Sequence, residues 1–145
     1  MNWIVAATDG SDGASRAVEY AARWANRETL GLLIVNVVGG YGLPEKAIRS
    51  LTHAQTAWFD EMLAALSAET LKNARDLAWS IGAQATELES RAGEVAPTLI
   101  EIAEEKKAQA IVVGKRGAGR ISGLLLGSVS QALVSLAPVP VVVVP

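Results

Sequence analysis

At 145 residues, with 13 basic and 15 acidic side chains and a formal charge of −2, the chain has no global excess of positive charge to hold a nucleic-acid backbone or an anionic membrane surface. It contains no cysteine, which excludes disulfides, thiolate nucleophiles and cysteine metal sites and agrees with a reducing compartment. Its length suits one domain over residues 1–145, able to bury roughly 70% of the surface that its unfolded form exposes.

In chain order, apolar runs alternate with amphipathic stretches. Trp3-Ile4-Val5-Ala6-Ala7 predicts a strand that stops at Thr8-Asp9-Gly10-Ser11-Asp12-Gly13, a turn-rich segment with several candidate helix N-caps. A first helix follows, whose stripe of Ala14, Val18, Ala21, Ala22 and Ala25 is small enough to lie close against a sheet. Residues 32–38 form the second strand, and residues 39–44, rich in glycine, form a loop long enough to be mobile or to cover a ligand. A long helix comes next: Phe59, Leu63, Leu66, Thr70, Ala74, Leu77 and Ile81 step by three and four, and Gly82 closes it as a C-cap. A partly exposed third strand spans 83–91. The following helix starts near Glu94 with Pro97 in its first turn, places Val95, Leu99, Ile102 and Ala103 on one face, and ends at Glu104-Glu105-Lys106-Lys107. Ala110-Ile111-Val112-Val113 is a strand buried on both faces. It enters Gly114-Lys115-Arg116-Gly117-Ala118-Gly119-Arg120, and helical spacing resumes near Gly127 or Ser128 with Val129, Leu133 and Leu136 on one face. Residues 138–145 are a fifth strand, placed at an edge by its flanking prolines. The N-terminus has no basic n-region, its apolar run is shorter than a signal core, and no stretch approaches membrane-span length, so a cytoplasmic protein without membrane insertion is expected.

Strands separated by helices imply right-handed crossovers and a parallel sheet covered on both faces. Ligands of such sheets bind beyond the strand C-termini, where the winding direction reverses. If the first and fourth strands flank that reversal, Thr8-Asp9-Gly10 and Gly114-Lys115-Arg116-Gly117 end at one crevice, with Val37 and Val38 beside them.

The glycine loop is not a P-loop, because no lysine at the required spacing is followed by Ser or Thr. It also misses the dinucleotide fingerprint by one position and follows the fourth strand instead of opening the first βα unit. What stands is G-x2-G-x9-G-S at Gly114, Gly117, Gly127 and Ser128. Glycines let a backbone approach a ligand, and a glycine-opened helix start offers unpaired N–H groups and a positive dipole end to phosphate, beside Lys115, Arg116 and Arg120. Spacing alone leaves an ordinary glycine-rich connection equally open.

With this pattern, the opening Ile4-Val5-Ala6-Ala7-Thr8-Asp9-Gly10-Ser11 and the closing Pro140-Val141-Val142-Val143-Val144-Pro145, the sequence resembles the universal stress protein family over essentially its whole length. The resemblance implies an open, Rossmann-like α/β sheet of five parallel strands in the order 3-2-1-4-5 with helices on both faces. It further implies ATP, or AMP or ADP, in the crevice with magnesium or manganese on the phosphates. Homodimers would form through the last strand, at Val139, Val141, Val142, Val143 and Val144. The full glycine pattern looks like that of the ATP-binding branch. Carried over, Ala7, Thr8 and Asp9 would line the ribose and adenine, and Val37 or Val38 would meet the adenine. Val113, Gly114, Arg116 and Gly117 would border ribose and phosphates, and Gly127, Ser128, Val129 and Ser130 would receive the phosphates. Two positions depart from the family. Lys115 stands where a small hydroxyl residue is common, and either strengthens triphosphate binding or points to solvent; Asn36 stands where histidine is frequent.

Asp9 would bind a ribose hydroxyl or a phosphate-held metal, or cap the following turn; the resemblance favours the ligand role. His53 has no Ser or Asp partner in a recognisable motif and reads as solvated. Trp3, Trp24, Trp58 and Trp79 fit core or interface packing better than base stacking. The expected function is regulatory ATP binding with at most slow hydrolysis. One rival is an adenylating or ATP-pyrophosphatase enzyme on a related sheet, whose first loop would read like S-G-G-x-D-S. The other is a nucleotide-free interaction module, against which the complete glycine pattern speaks.

Overall fold

The computed structural model describes residues 1–39, 43–116 and 126–145. Five parallel strands, β1 (Trp3–Ala7), β2 (Gly31–Val38), β3 (Thr86–Ala92), β4 (Ala110–Gly114) and β5 (Val141–Val144), form one sheet in the order β3-β2-β1-β4-β5. The expected fold and strand order are therefore those observed. Helices α1 (Asp12–Glu28), α2 (Glu45–Arg49), α3 (His53–Ile81), α4 (Val95–Lys106) and α5 (Ser128–Leu136) connect the strands.

Strand alternation divides the interior in two. Ile4, Ala6, Leu32, Ile34 and Val112 pack with the alanine stripe of α1 and with Leu71, Ala74 and Ala78 of α3. Val5, Leu33, Val35, Ile111 and Val113 pack with Leu99, Ile102 and Ala103 of α4 and Leu133 of α5. A fully buried Leu, Ile or Val contributes about 1.5–3 kcal/mol by leaving water, so both layers are needed to hold the short strands. Ala14, Val18, Ala21, Ala22 and Ala25 are all buried, as their spacing predicts.

Local chemistry sets the element ends. Ser11 caps α1 by accepting from the Ala14 N–H, and Thr52 with Gln55 forms a reciprocal capping box at α3. Gly82 ends α3 at φ 106, whereas Thr29 and Lys107 take the same left-handed conformation without being glycine. Gly31 leaves room for the Trp3 ring, which would lie 2.5 Å from a Cβ there.

Three expectations need correction. The third strand begins at Thr86, not at 83, because Ala83 is spent in a turn whose N–H reaches Ala78 O at 3.1 Å and whose carbonyl accepts from Thr86 Oγ1 at 2.6 Å. The buried row of α3 is Ser67, Leu71, Ala74 and Ala78, and Leu66 is 58% exposed. None of residues 53–66 is buried, so apolar periodicity there does not report the core. Leu136 of α5 is 66% exposed, since the helix ends beside it and the chain turns to Pro138. Trp3 and Trp24 pack against the core, but Trp58 and Trp79 are exposed, the latter under the Arg75 guanidinium at 4.5 Å.

Candidate functional site

β1 is flanked by β2 on one side and β4 on the other, so the winding reverses between β1 and β4, and the chain leaving both strands arrives at one crevice. At the end of β1, the Thr8 N–H donates to Val35 O at 2.9 Å and the Gly10 N–H donates to Thr8 Oγ1 at 3.1 Å. The Asp9 carboxylate accepts from the Ser11 N–H at 2.9 Å, and Gly10 turns through φ 83.

The end of β4 lies directly on this turn. A Cβ at Gly114 would stand 2.9 Å from the carbonyl carbon and oxygen of Gly13, and one at Gly13 would stand 2.9 Å from Arg116 O. Main chain therefore packs on main chain, which only paired glycines permit. Beyond Gly114 the path is pinned from both sides: the Lys115 N–H donates to Val144 O at 2.7 Å, and Lys115 O accepts from the Gly127 N–H at 2.9 Å. Ser130 Oγ donates to Gly114 O at 2.8 Å and lies 3.1 Å from Lys115 O.

These contacts seat the start of α5 on Gly114-Lys115-Arg116. Gly127 is its N-cap, and among the described residues no side chain caps the first turn. The opening amides of the helix thus carry the positive end of its dipole, next to two cationic residues. Ser128 is exposed there and Val129 half-buried, whereas the Ser130 hydroxyl is buried and committed to strand carbonyls.

The predicted residues divide by face. Ala7, Val37, Val113 and Val129 belong to the α4/α5 layer and line its upper end, with Val95 beside them. Thr8 lies on the opposite layer and lines, with Gly10 and Leu66, a cavity of about 290 Å³ between α1 and α3. Val38, Ser128 and Val129 line a larger cleft of about 1010 Å³, shared with Asp60, Leu63 and Ala64 of α3, Ser90 and Ala92 of β3, and Gly93-Glu94-Val95-Ala96-Pro97. Gly117 and Arg120 lie outside the described residues. Among the described residues no three His, Cys, Asp or Glu stand together as metal ligands, and no helix is long and apolar enough to cross a membrane.

Sequence reading missed the part of the cleft beyond Val38. It also missed a polar chain, Ser90–Ser67–Asn36–Thr8, that runs from β3 through α3 and β2 to the residue after β1. The available signal was a polar residue at an inward strand position, Asn36 in GLLIVNVV, and a serine on the row that continues to Leu71 and Ala74.

Residues 1–145 match the model of the universal stress protein family. The universal stress protein YxiE of Bacillus subtilis is 30% identical, the match covering 99% of each chain. A crystal structure of a universal stress protein in complex with cAMP superposes with a TM-score of 0.75 at 29% identity, over 99% of this chain and 97% of that one. The universal stress protein UspA from Lactobacillus plantarum superposes with a TM-score of 0.82 at 24% identity, over 99% and 97%. Sheet order, the glycine-paired crevice and a family match over the full length agree: the chain belongs to the universal stress protein family.

Proposed function

We propose that this protein binds an adenine nucleotide, ATP in the first instance, and acts as a regulatory stress protein through its bound state. The observation that carries the reading is the docking of Gly127 and the start of α5 on Gly114-Lys115-Arg116. It offers main-chain donors and cationic side chains to phosphate where α/β sheets bind their ligands. The structure of a family member with cAMP, at 29% identity, supports an adenine ligand. Ala7, Val37, Val113 and Val129 would form the apolar side of the nucleoside site, and Asp9 would meet a ribose hydroxyl or a magnesium or manganese ion carried by the phosphates. Gly117 completes the glycine pattern from the sequence.

In this reading ATP is held, not consumed. Hydrolysis requires a base that orients water, and binding alone lowers ground and transition states together. Asp9 already accepts from Ser11, and His53 begins α3, ahead of the residues that line the cleft. Calorimetry tests the assignment. ATP is expected to bind the unaltered chain at micromolar affinity, about 8 kcal/mol, and to be lost in Gly127→Val, whose side chain would meet Arg116 Cα and Lys115 O at about the 3.3 and 3.5 Å of a built Cβ. Unchanged affinity in a folded Gly127→Val overturns the assignment. Single-turnover hydrolysis with magnesium should remain incomplete after many seconds, against the roughly 0.1 s of a typical enzyme's turnover; completion within seconds would make this an enzyme.

A further inference from the structure

The wall of the large cleft has a hydrogen-bonding character fixed from behind. Asn36 lies 2.8 Å from the Thr8 carbonyl, which can only accept, so the atom facing it is Nδ2, and Oδ1 is turned toward α3. Ser67 Oγ donates to that Oδ1 at 2.6 Å. Ser67 is 4% exposed and has a single hydroxyl proton. In its 2.8 Å contact with Ser90 Oγ it must therefore accept, and Ser90 must donate. Ser90 is exposed on the cleft wall with its proton directed inward, and so presents lone pairs to the cleft. The carboxyl groups of Asp60 and Glu94, whose oxygens also accept, line the same cleft, and among the described residues no Lys, Arg or His does. Ser128, at the start of α5, marks the end suited to phosphate.

We propose that Ser90 is a specificity-determining acceptor for a hydrogen-bond donor on the nucleoside half of the bound nucleotide, either the amino group of the base or a ribose hydroxyl. Ser67 and Asn36 are positioning residues that keep it an acceptor. This rests on the nucleotide-binding function proposed above and adds the group that is recognised. A ligand presenting a carbonyl where the donor belongs would face lone pair against lone pair. One neutral hydrogen bond amounts to roughly a ten-fold difference in affinity.

Calorimetric titration of the full chain with ATP, inosine triphosphate and 2′,3′-dideoxy-ATP tests it. The unaltered protein should prefer ATP roughly ten-fold over one of the other two. Discrimination against inosine triphosphate assigns the base amino group, and discrimination against the dideoxy compound assigns the ribose. Ser90→Ala should abolish that preference and Ser90→Thr should retain it. Ser67→Ala should also lower the ratio although Ser90 is untouched, because the freed proton can turn toward the ligand; a purely structural role would weaken all three ligands equally. Should Ser67→Ala fail to fold by circular dichroism, the Ser90 pair, on an exposed residue, decides alone. An unchanged ratio in Ser90→Ala, with ATP still bound, overturns this inference and leaves nucleotide binding standing. Failure of the unaltered protein to bind any of the three overturns the proposed function and this inference with it.

Discussion

Gly114 and Gly13 touch backbone to backbone, and neither can yield without moving a strand or a helix start. Gly114→Ala should therefore destabilise the fold by about 1–3 kcal/mol, the usual cost of overpacking, through a contact that owes nothing to phosphate. Urea unfolding measures it, and a midpoint equal to that of the unaltered protein would show that the two segments separate freely. A second residue-level consequence concerns Glu105, which accepts from Arg91 at 2.9 Å. The hydrogen bond from Arg91 is the main cause that holds its carboxyl below the usual carboxylate range, against opposing desolvation. A carboxyl depressed in the folded state stabilises fully above the unfolded value of about 4.3 and loses that contribution as pH falls through the lowered folded value. Glu105→Gln should be less stable than the unaltered chain at neutral pH, the gap closing on acidification and shrinking in salt. A gap independent of pH between about 6 and 3 would assign the effect to packing instead.

At the scale of elements, β5 is the sheet edge next to β4, and its valine side chains are not directed outward across it. Val142 and Val144 pack on the α1 layer, Val141 and Val143 on the α4/α5 layer. What the edge offers a partner is main chain. Pro140 O accepts from Ile111 of β4 and Val144 O from Lys115 just beyond it, so the intervening alternation turns the groups of Val141 and Val143 away from β4. An exposed, valine-rich edge is an association hazard unless paired, and we propose that a second copy pairs with it. Val143→Pro removes one outward N–H while sparing the β4 ladder, and should shift dimer to monomer in sedimentation at tens of micromolar, as an order of magnitude. A monomeric unaltered protein at that concentration excludes the pairing. The elements were legible where one physical demand governed the residue pattern. The alanine stripe of α1 and the apolar runs of β1, β2 and β4 were each set by burial against a sheet. In α3 two demands meet, because a buried residue row from Ser67 onward is preceded by an apolar row with no buried member, and periodicity cannot distinguish them. The glycine pattern located the end of β4 and the start of α5. The role of Gly13 and the Ser90–Ser67–Asn36 chain depended on contacts between distant segments, which no spacing records.

For the whole molecule, α3 joins a docked half to an overhanging one. Residues 53–66 make about 21 Å of helix with no buried side chain, whereas residues 67–81 carry Ser67, Leu71, Ala74 and Ala78 into the core. Cooperative units of a protein open with free energies set by what they bury. One continuous helix should therefore behave as two in native-state hydrogen exchange. Amides in 53–66 should exchange through a local opening far cheaper than global unfolding, and those in 67–81 only with the sheet. Uniform protection along the helix would refute this division. Because Asp60, Leu63 and Ala64 form one wall of the cleft, an occupant touching them would slow exchange in the first half while leaving the second at its ceiling. Occupancy of the cleft would then be written as the rigidity of a surface helix bearing Trp58, Met62 and Leu66, a change of order without a change of shape.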